Sequence, residues 1–165
     1  MKGIDPHSCM HHIYIQENDK PVRKPQRRMN LNMKEIVKEE SQKFLNVNFI
    51  YPIPYSQWVT PLVVGPKNNG KWRVCINYTE LNKGTLKYHF PLPFNHQVLN
   101  TLARKKYFPF IRGFNGYNKI QLAPYDQDKI SFTCPWGTYA YMVLPFGLCN
   151  ASATFQRAVL SIFLI

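Results

Sequence analysis

The stretch PLVVGPKNNGKWRVCINY, residues 61–78, constrains the fold more than any other. Two apolar runs flank Asn68, Asn69 and Gly70, and such a turn between strands is a hairpin signal, because Asn and Gly accept the backbone angles a tight turn requires. A lone hairpin is marginal in water, so it needs further strands or a helix to cover its apolar face. The chain offers both. Met33, Ile36, Val37, Phe44 and Leu45 recur at helical spacing to about residue 46, behind a capping-box pattern of Asn32 and Glu35. The prolines of YPIPYSQWVTP, 51–61, close that helix. Phe94, Val98, Leu99 and Leu102 predict a short second helix, KKYFPFI at 105–111 a buried strand, and NGYNKIQLAP at 115–124 a lead into another. KISFTCPWGTYAYMVL, 129–144, predicts two strands about a Pro-Trp-Gly turn, and Ala151, Phe155, Ala158, Val159 and Ile162 trace one face of a last helix. The class is α+β, and 165 residues suit one domain. Residues 1–30, with PVRKPQRR at 21–28, read as an extended linker, so the folded part is expected to begin at residue 31.

Charge narrows the function. Lys and Arg number 21 against 9 acidic residues, a net charge of +12, which fits either a solvated surface or a nucleic-acid binder. The cations cluster at Lys20, Arg23, Lys24, Arg27 and Arg28, at Lys67, Lys71 and Arg73, and at Arg104, Lys105 and Lys106, with Trp58, Trp72 and Tyr78 between them. Interleaved cations and aromatics are what a phosphate-tracking groove with stacking surfaces requires. No apolar run approaches the roughly 18 residues of a membrane span, and MKGIDPHSCMHH lacks the apolar core of a secretory leader. An intracellular setting, cytoplasmic or nuclear, is expected. The four cysteines include no Cys-x-x-Cys pair and read as reduced thiols, and His7, Cys9, His11 and His12 read as a polar terminus in preference to a zinc site.

Four motifs occur in order: WRVCINYTELN at 72–82, FPLP at 90–93, YFPFIRGFNGYNKI at 107–120 and LPFGLCNASATFQR at 144–157. Together they resemble the reverse transcriptase of gypsy-type LTR retrotransposons, of the kind abundant in plants, over essentially the whole chain. The resemblance implies a partial right-hand polymerase. Residues from about 31 to 88 and 121 to 150 would be fingers, 89 to 120 and 151 to 165 would begin the palm, and thumb, connection and RNase H regions would be absent. It further implies an RNA-directed DNA polymerase as intact parent, with an RNA or DNA template-primer and dNTP as partners and Mg²⁺ as cofactor. Lys67, Lys71 and Arg73 would lie in the hairpin that closes over the incoming triphosphate, where cations neutralise phosphate. Gly113 and Tyr117 would border the nucleotide, Phe146 and Gly147 would form its floor, and Gln156 would sit where the family positions template and primer. On spacing alone, Tyr117 and Phe146 are core aromatics.

The acids do not follow the resemblance. Nucleotidyl transfer uses two magnesium ions about 4 Å apart, held by convergent carboxylates. None of the nine acidic residues falls within 107–120, and IRGFNGY places Arg112 where the family pattern L-D-G-[FY]-S-G-Y has its metal-binding aspartate. A guanidinium stays protonated and repels Mg²⁺. The family's Asp-Asp hairpin, expected downstream of Gln156, has no counterpart in the sequence. Asp126 and Asp128 read as turn formers, Glu39 as an i,i+4 partner of Lys43, and Glu80 as an organiser of nearby cations. The expectation is a truncated, inactive reverse transcriptase domain with no cofactor of its own. A non-enzymatic nucleic-acid-binding remnant and an unfolded relic are the alternatives.

Overall fold

The computed structural model describes residues 3–66, 70, 72–91, 100, 103 and 116–163. Helix α1, Leu31–Asn46, is capped by Asn30, whose side chain accepts from Met33 N at 2.8 Å. Asn30, and not the expected Asn32, is therefore the cap: its oxygen reaches the amide three residues on, which satisfies one of the helix's orphan donors. Val37 is fully buried, and Phe44 meets Phe49 and Tyr141 at ring distances of 6.3 and 6.0 Å. Lys43 pairs with Glu40 at 3.5 Å, one residue away from the expected Glu39. Asn48, at φ +56°, turns the chain out of α1. Asn is among the few side chains that tolerate that conformation.

A five-stranded sheet follows, built from β2 (Ile50–Pro52), β3 (Val59–Pro66), β4 (Trp72–Ile76), β6 (Ser131–Cys134) and β7 (Gly137–Tyr141) in the order β2-β7-β6-β3-β4. The hairpin of β3 and β4 pairs Leu62 with Ile76 through to Pro66 with Trp72, as the two apolar runs about the turn predict. Pro61 precedes the first β4 partner, so its missing N–H removes nothing from that ladder. Strand β3 also runs parallel to β6, Val59 facing Ser131, and β6 turns antiparallel into β7, Phe132 facing Tyr139. The core lies where Leu62, Tyr78, Leu81, Ile130 and Phe132 meet α1 and the sheet, each exposed by 2% or less. Tyr78 donates its hydroxyl to the Ile130 carbonyl at 3.4 Å, so this buried ring leaves no polar atom unpaired. Burial, with the neighbouring Tyr141 adding to it, holds its phenol well above the ordinary range.

The leading segment departs from the expected linker. It is extended, but it packs. Strand β1, Met10–His11, runs parallel to β5, Gln121–Leu122. Ile4 N donates to Lys119 O at 2.8 Å, Gln16 N to Gly84 O at 2.9 Å, and Val59 N to Val22 O at 3.1 Å. Cys9, His11 and Ile13 are each exposed by 3% or less, so this segment forms part of the core. Its backbone groups thus find partners on three separate elements, which a free linker does not provide. The second predicted helix and the strand at 105–111 lie outside the described residues, apart from helical Asn100 and Ala103.

Candidate nucleotide site

Two short elements close the fold at the site: α2, Thr79–Gly84, directly after the hairpin, and α3, Ala151–Phe163, directly after the LPFGLCN loop. In that loop Leu144 and Leu148 are buried at 0 and 8% exposure and pin its two ends. Phe146 between them is 70% exposed. Gly147 takes φ +104°, and a Cβ there would sit 3.4 Å from Tyr78 Cδ2 and 3.6 Å from Ile76 O. Only glycine adopts that backbone without strain, so the residue type and the outward aim of its neighbour go together.

The exposed phenyl ring has company. Phe146 lies 4.8 Å from the Tyr117 ring at 39°, and Tyr117 meets Phe155 of α3 at 5.2 Å, edge-on at 66°. Tyr117 Oη lies 3.2 Å from Ser152 Oγ on the same helix. Gly116 allows this approach, because a Cβ at that position would lie 2.6 Å from Phe155 Cε2. Such ring pairs add ~0.5–1.5 kcal/mol each beyond area burial. The result is an aromatic cluster whose outermost ring, Phe146, is open to solvent.

Two asparagines hold the loop, and sequence reasoning missed both. Asn82 Nδ2 donates to Gly147 O at 2.7 Å while its Oδ1 accepts from Cys149 N at 2.9 Å. Asn150 reciprocates, with Nδ2 donating to Leu86 O at 2.8 Å and Oδ1 accepting from Tyr88 N at 2.9 Å. Net hydrogen bonds of this type contribute ~0.5–1.5 kcal/mol each. The one available signal was their place, since Asn82 ends WRVCINYTELN and Asn150 lies within LPFGLCNASATFQR.

Beneath α3 lies the leading segment. His11 Nδ1 is 2.8 Å from Thr154 Oγ1, and Arg157 reaches the Met10 carbonyl at 3.3 Å and lies over the Tyr88 ring at 5.7 Å. Burial lowers the His11 pKa to about 4, although Asp126 opposes the shift. Asp126 is buried and accepts from Ile13 N at 3.0 Å, with Lys129 as ion-pair partner. This makes it an anchor for the leading segment as well as a turn former. Glu80 bridges Lys24 at 2.9 Å and Lys83 at 3.2 Å, and the Lys24 hydrogen bond is the first cause of its lowered pKa.

Tyr117, Phe146 and Gly147 thus come together. Gln156 follows Phe155 on α3 and is half-buried, and Arg73 stands exposed on β4, opposite Gly65. Lys67, Lys71, Arg112 and Gly113 lie outside the described residues. Among the described residues none gathers a Mg²⁺ site: Asp126 and Glu80 are committed to lysines, and no three of His, Cys, Asp or Glu converge there. Nor do Cys9, His11 and His12 aim at one point, since the first two turn to Thr154 and His12 faces Asp126 at 3.7 Å. Among the described residues no helix is long and apolar enough to cross a membrane.

The fold is that of a reverse transcriptase. Prototype foamy virus protease-reverse transcriptase superposes with a TM-score of 0.82 at 24% identity, over 94% of this chain and 21% of that one. The foamy viral enzyme in complex with RNA/DNA hybrid gives 0.79 at 18% identity, over 99 and 21%. The family model described as reverse transcriptase (RNA-dependent DNA polymerase) matches residues 65–164, and the chain belongs to that family. The retrovirus-related Pol polyprotein from Drosophila melanogaster transposon 412 is 32% identical over 90% of this chain and 13% of its own length. That from the Drosophila melanogaster transposon gypsy is 33% identical over 78 and 13%. The chain therefore spans about 13% of the length of these curated relatives and is a partial reverse transcriptase domain of the retrotransposon Pol type.

Proposed function

We propose that this chain is the fingers and the first part of the palm of a reverse transcriptase, able to hold template-primer but not to transfer nucleotides. Fingers span about 31–88 and 121–150, and palm 89–120 and 151–165, with residues 3–30 strapped across both. The aromatic face of Tyr117 and Phe146 is the floor for an incoming dNTP, and Gln156 with Arg157 borders the template-primer. The cations Lys67, Lys71 and Arg73 serve its phosphates.

One observation carries the loss of activity: Arg112 stands where the family pattern has its metal-binding aspartate. A fixed positive charge there opposes the two-metal arrangement that phosphoryl transfer requires. In support of nucleic-acid binding stand the net charge of +12 and the exposed cations at Lys20, Arg23, Arg27 and Arg28. Arg23 is held in place by its bridge to Val59 and lies 5.5 Å over the Tyr55 ring.

The test is primer extension of oligo-dT on poly-rA with Mg²⁺ or Mn²⁺, alongside a salt titration of template-primer binding. No extension is expected from the chain with Arg112 in place. Affinity is expected to fall about a thousandfold between 50 and 200 mM salt if some six phosphates are neutralised. Reproducible extension would refute the inactive reading, and a flat salt dependence would refute the binding one.

A further inference from the structure

We propose that Asn82 is a positioning residue: its amide locks the 146–149 turn so that Phe146 stands against Tyr117 as the floor of the nucleotide site. The assignment of that floor rests on the reading above; the lock itself rests on geometry.

Asn82 uses both ends of its amide on one turn, Nδ2 to Gly147 O at 2.7 Å and Oδ1 from Cys149 N at 2.9 Å. A donor and an acceptor on one short planar group are what Asn alone provides at this reach; Asp accepts only and Ser offers a single oxygen. Leu81 beside it is 1% exposed and fixes α2 in the core, so the amide projects from an anchored element. The turn it grips needs such a tether. Gly147 has no side chain with which to define its own conformation, and Phe146, at 70% exposure, makes little contact with the body of the protein beyond the ring of Tyr117. Asn150 repeats the device in the other direction onto Leu86 and Tyr88, so α2 with the segment that follows it and the loop entering α3 are joined by four amide hydrogen bonds. Because α2 directly follows β4, the lock also couples the cationic hairpin to the floor.

The experiment places 4-fluorophenylalanine at position 146 of the full chain and records its ¹⁹F resonance, with Tyr117→Leu marking the frequency of a ring freed from its neighbour. Asn82→Ala is expected to move or broaden the resonance toward that frequency, to weaken binding of a fluorescent dATP in the presence of template-primer at least tenfold, and to keep a cooperative melt. Asn82→Asp, which keeps the acceptor for Cys149 N, is expected to fall between the two. An unchanged resonance in Asn82→Ala overturns the lock. Should that variant fail to fold, Asn82→Asp and Asn82→Ser decide by the same criterion. A displaced ring with dATP affinity equal to the parent's overturns the link to nucleotide binding. If the parent itself binds no dATP, the floor reading fails while the resonance still decides the lock.

Discussion

Gly147 and His11 each hold a conformation or a protonation state that a free residue does not prefer. At φ +104°, Gly147→Ala must strain the backbone, while its Cβ would meet Tyr78 Cδ2 at 3.4 Å in ordinary contact. Residues forced into such regions cost ~1–3 kcal/mol, and a drop of that size in urea unfolding free energy is expected, together with loss of the Phe146 and Tyr117 ring contact. His11 sets a pH limit. Its folded pKa of about 4 lies below the 6.5 of the free side chain, so the unfolded chain takes up the proton first as pH falls. Stability is therefore full above pH 6.5 and declines toward pH 4, by up to ~3 kcal/mol. Asp126, His12 and Arg157 face the same ring, and the first of these opposes the shift. Urea titrations at pH 7.5, 5.5 and 4.5 are expected to show the decline in the parent and a shallower one in His11→Gln; equal slopes would remove His11 as the cause.

The elements with strict periodicity were readable before any coordinates. Apolar runs on both sides of Asn-Asn-Gly announce β3 and β4, and the 3.6-residue spacing of Val37 and Phe44 announces α1, because each pattern has apolar surface to bury. The leading segment was not readable, for a physical reason. Its partners are backbone groups and single side chains on distant elements, Asp126 for Ile13 N and Thr154 for His11, and such pairings leave no period in the sequence. The site divides in the same way. Tyr117, Phe146 and Gly147 lie in recognisable motifs, whereas the asparagines that hold them look like ordinary polar residues until their partners are seen. If the segment is core, then Ile13→Ala, at a position 2% exposed, is expected to cost ~2–5 kcal/mol in urea unfolding. A loss below ~0.5 kcal/mol, the range of surface substitutions, would return the segment to the status of a linker.

At the scale of the whole molecule, the proposed function implies that the residues shaping a nucleotide floor and those performing chemistry have parted company. The ring contact of Tyr117 with Phe146 and the Asn82 hydrogen bonds are in place, while on the proposed reading Arg112 stands where chemistry needs a negative charge. Packing and catalysis make separate demands on a sequence, so one persists where the other is lost. The strap beneath α3 adds a demand in time. Its closing contact joins residues 143 positions apart, and during synthesis at some 5–20 residues per second His11 waits about 7 to 30 s before Thr154 exists to receive it. Throughout that interval Cys9 and Ile13, both core residues in the finished protein, lack their full cover. A nascent chain of this design depends on shelter until the stretch around Thr154 emerges, and that later stretch decides whether Cys9, His11 and Ile13 find their cover.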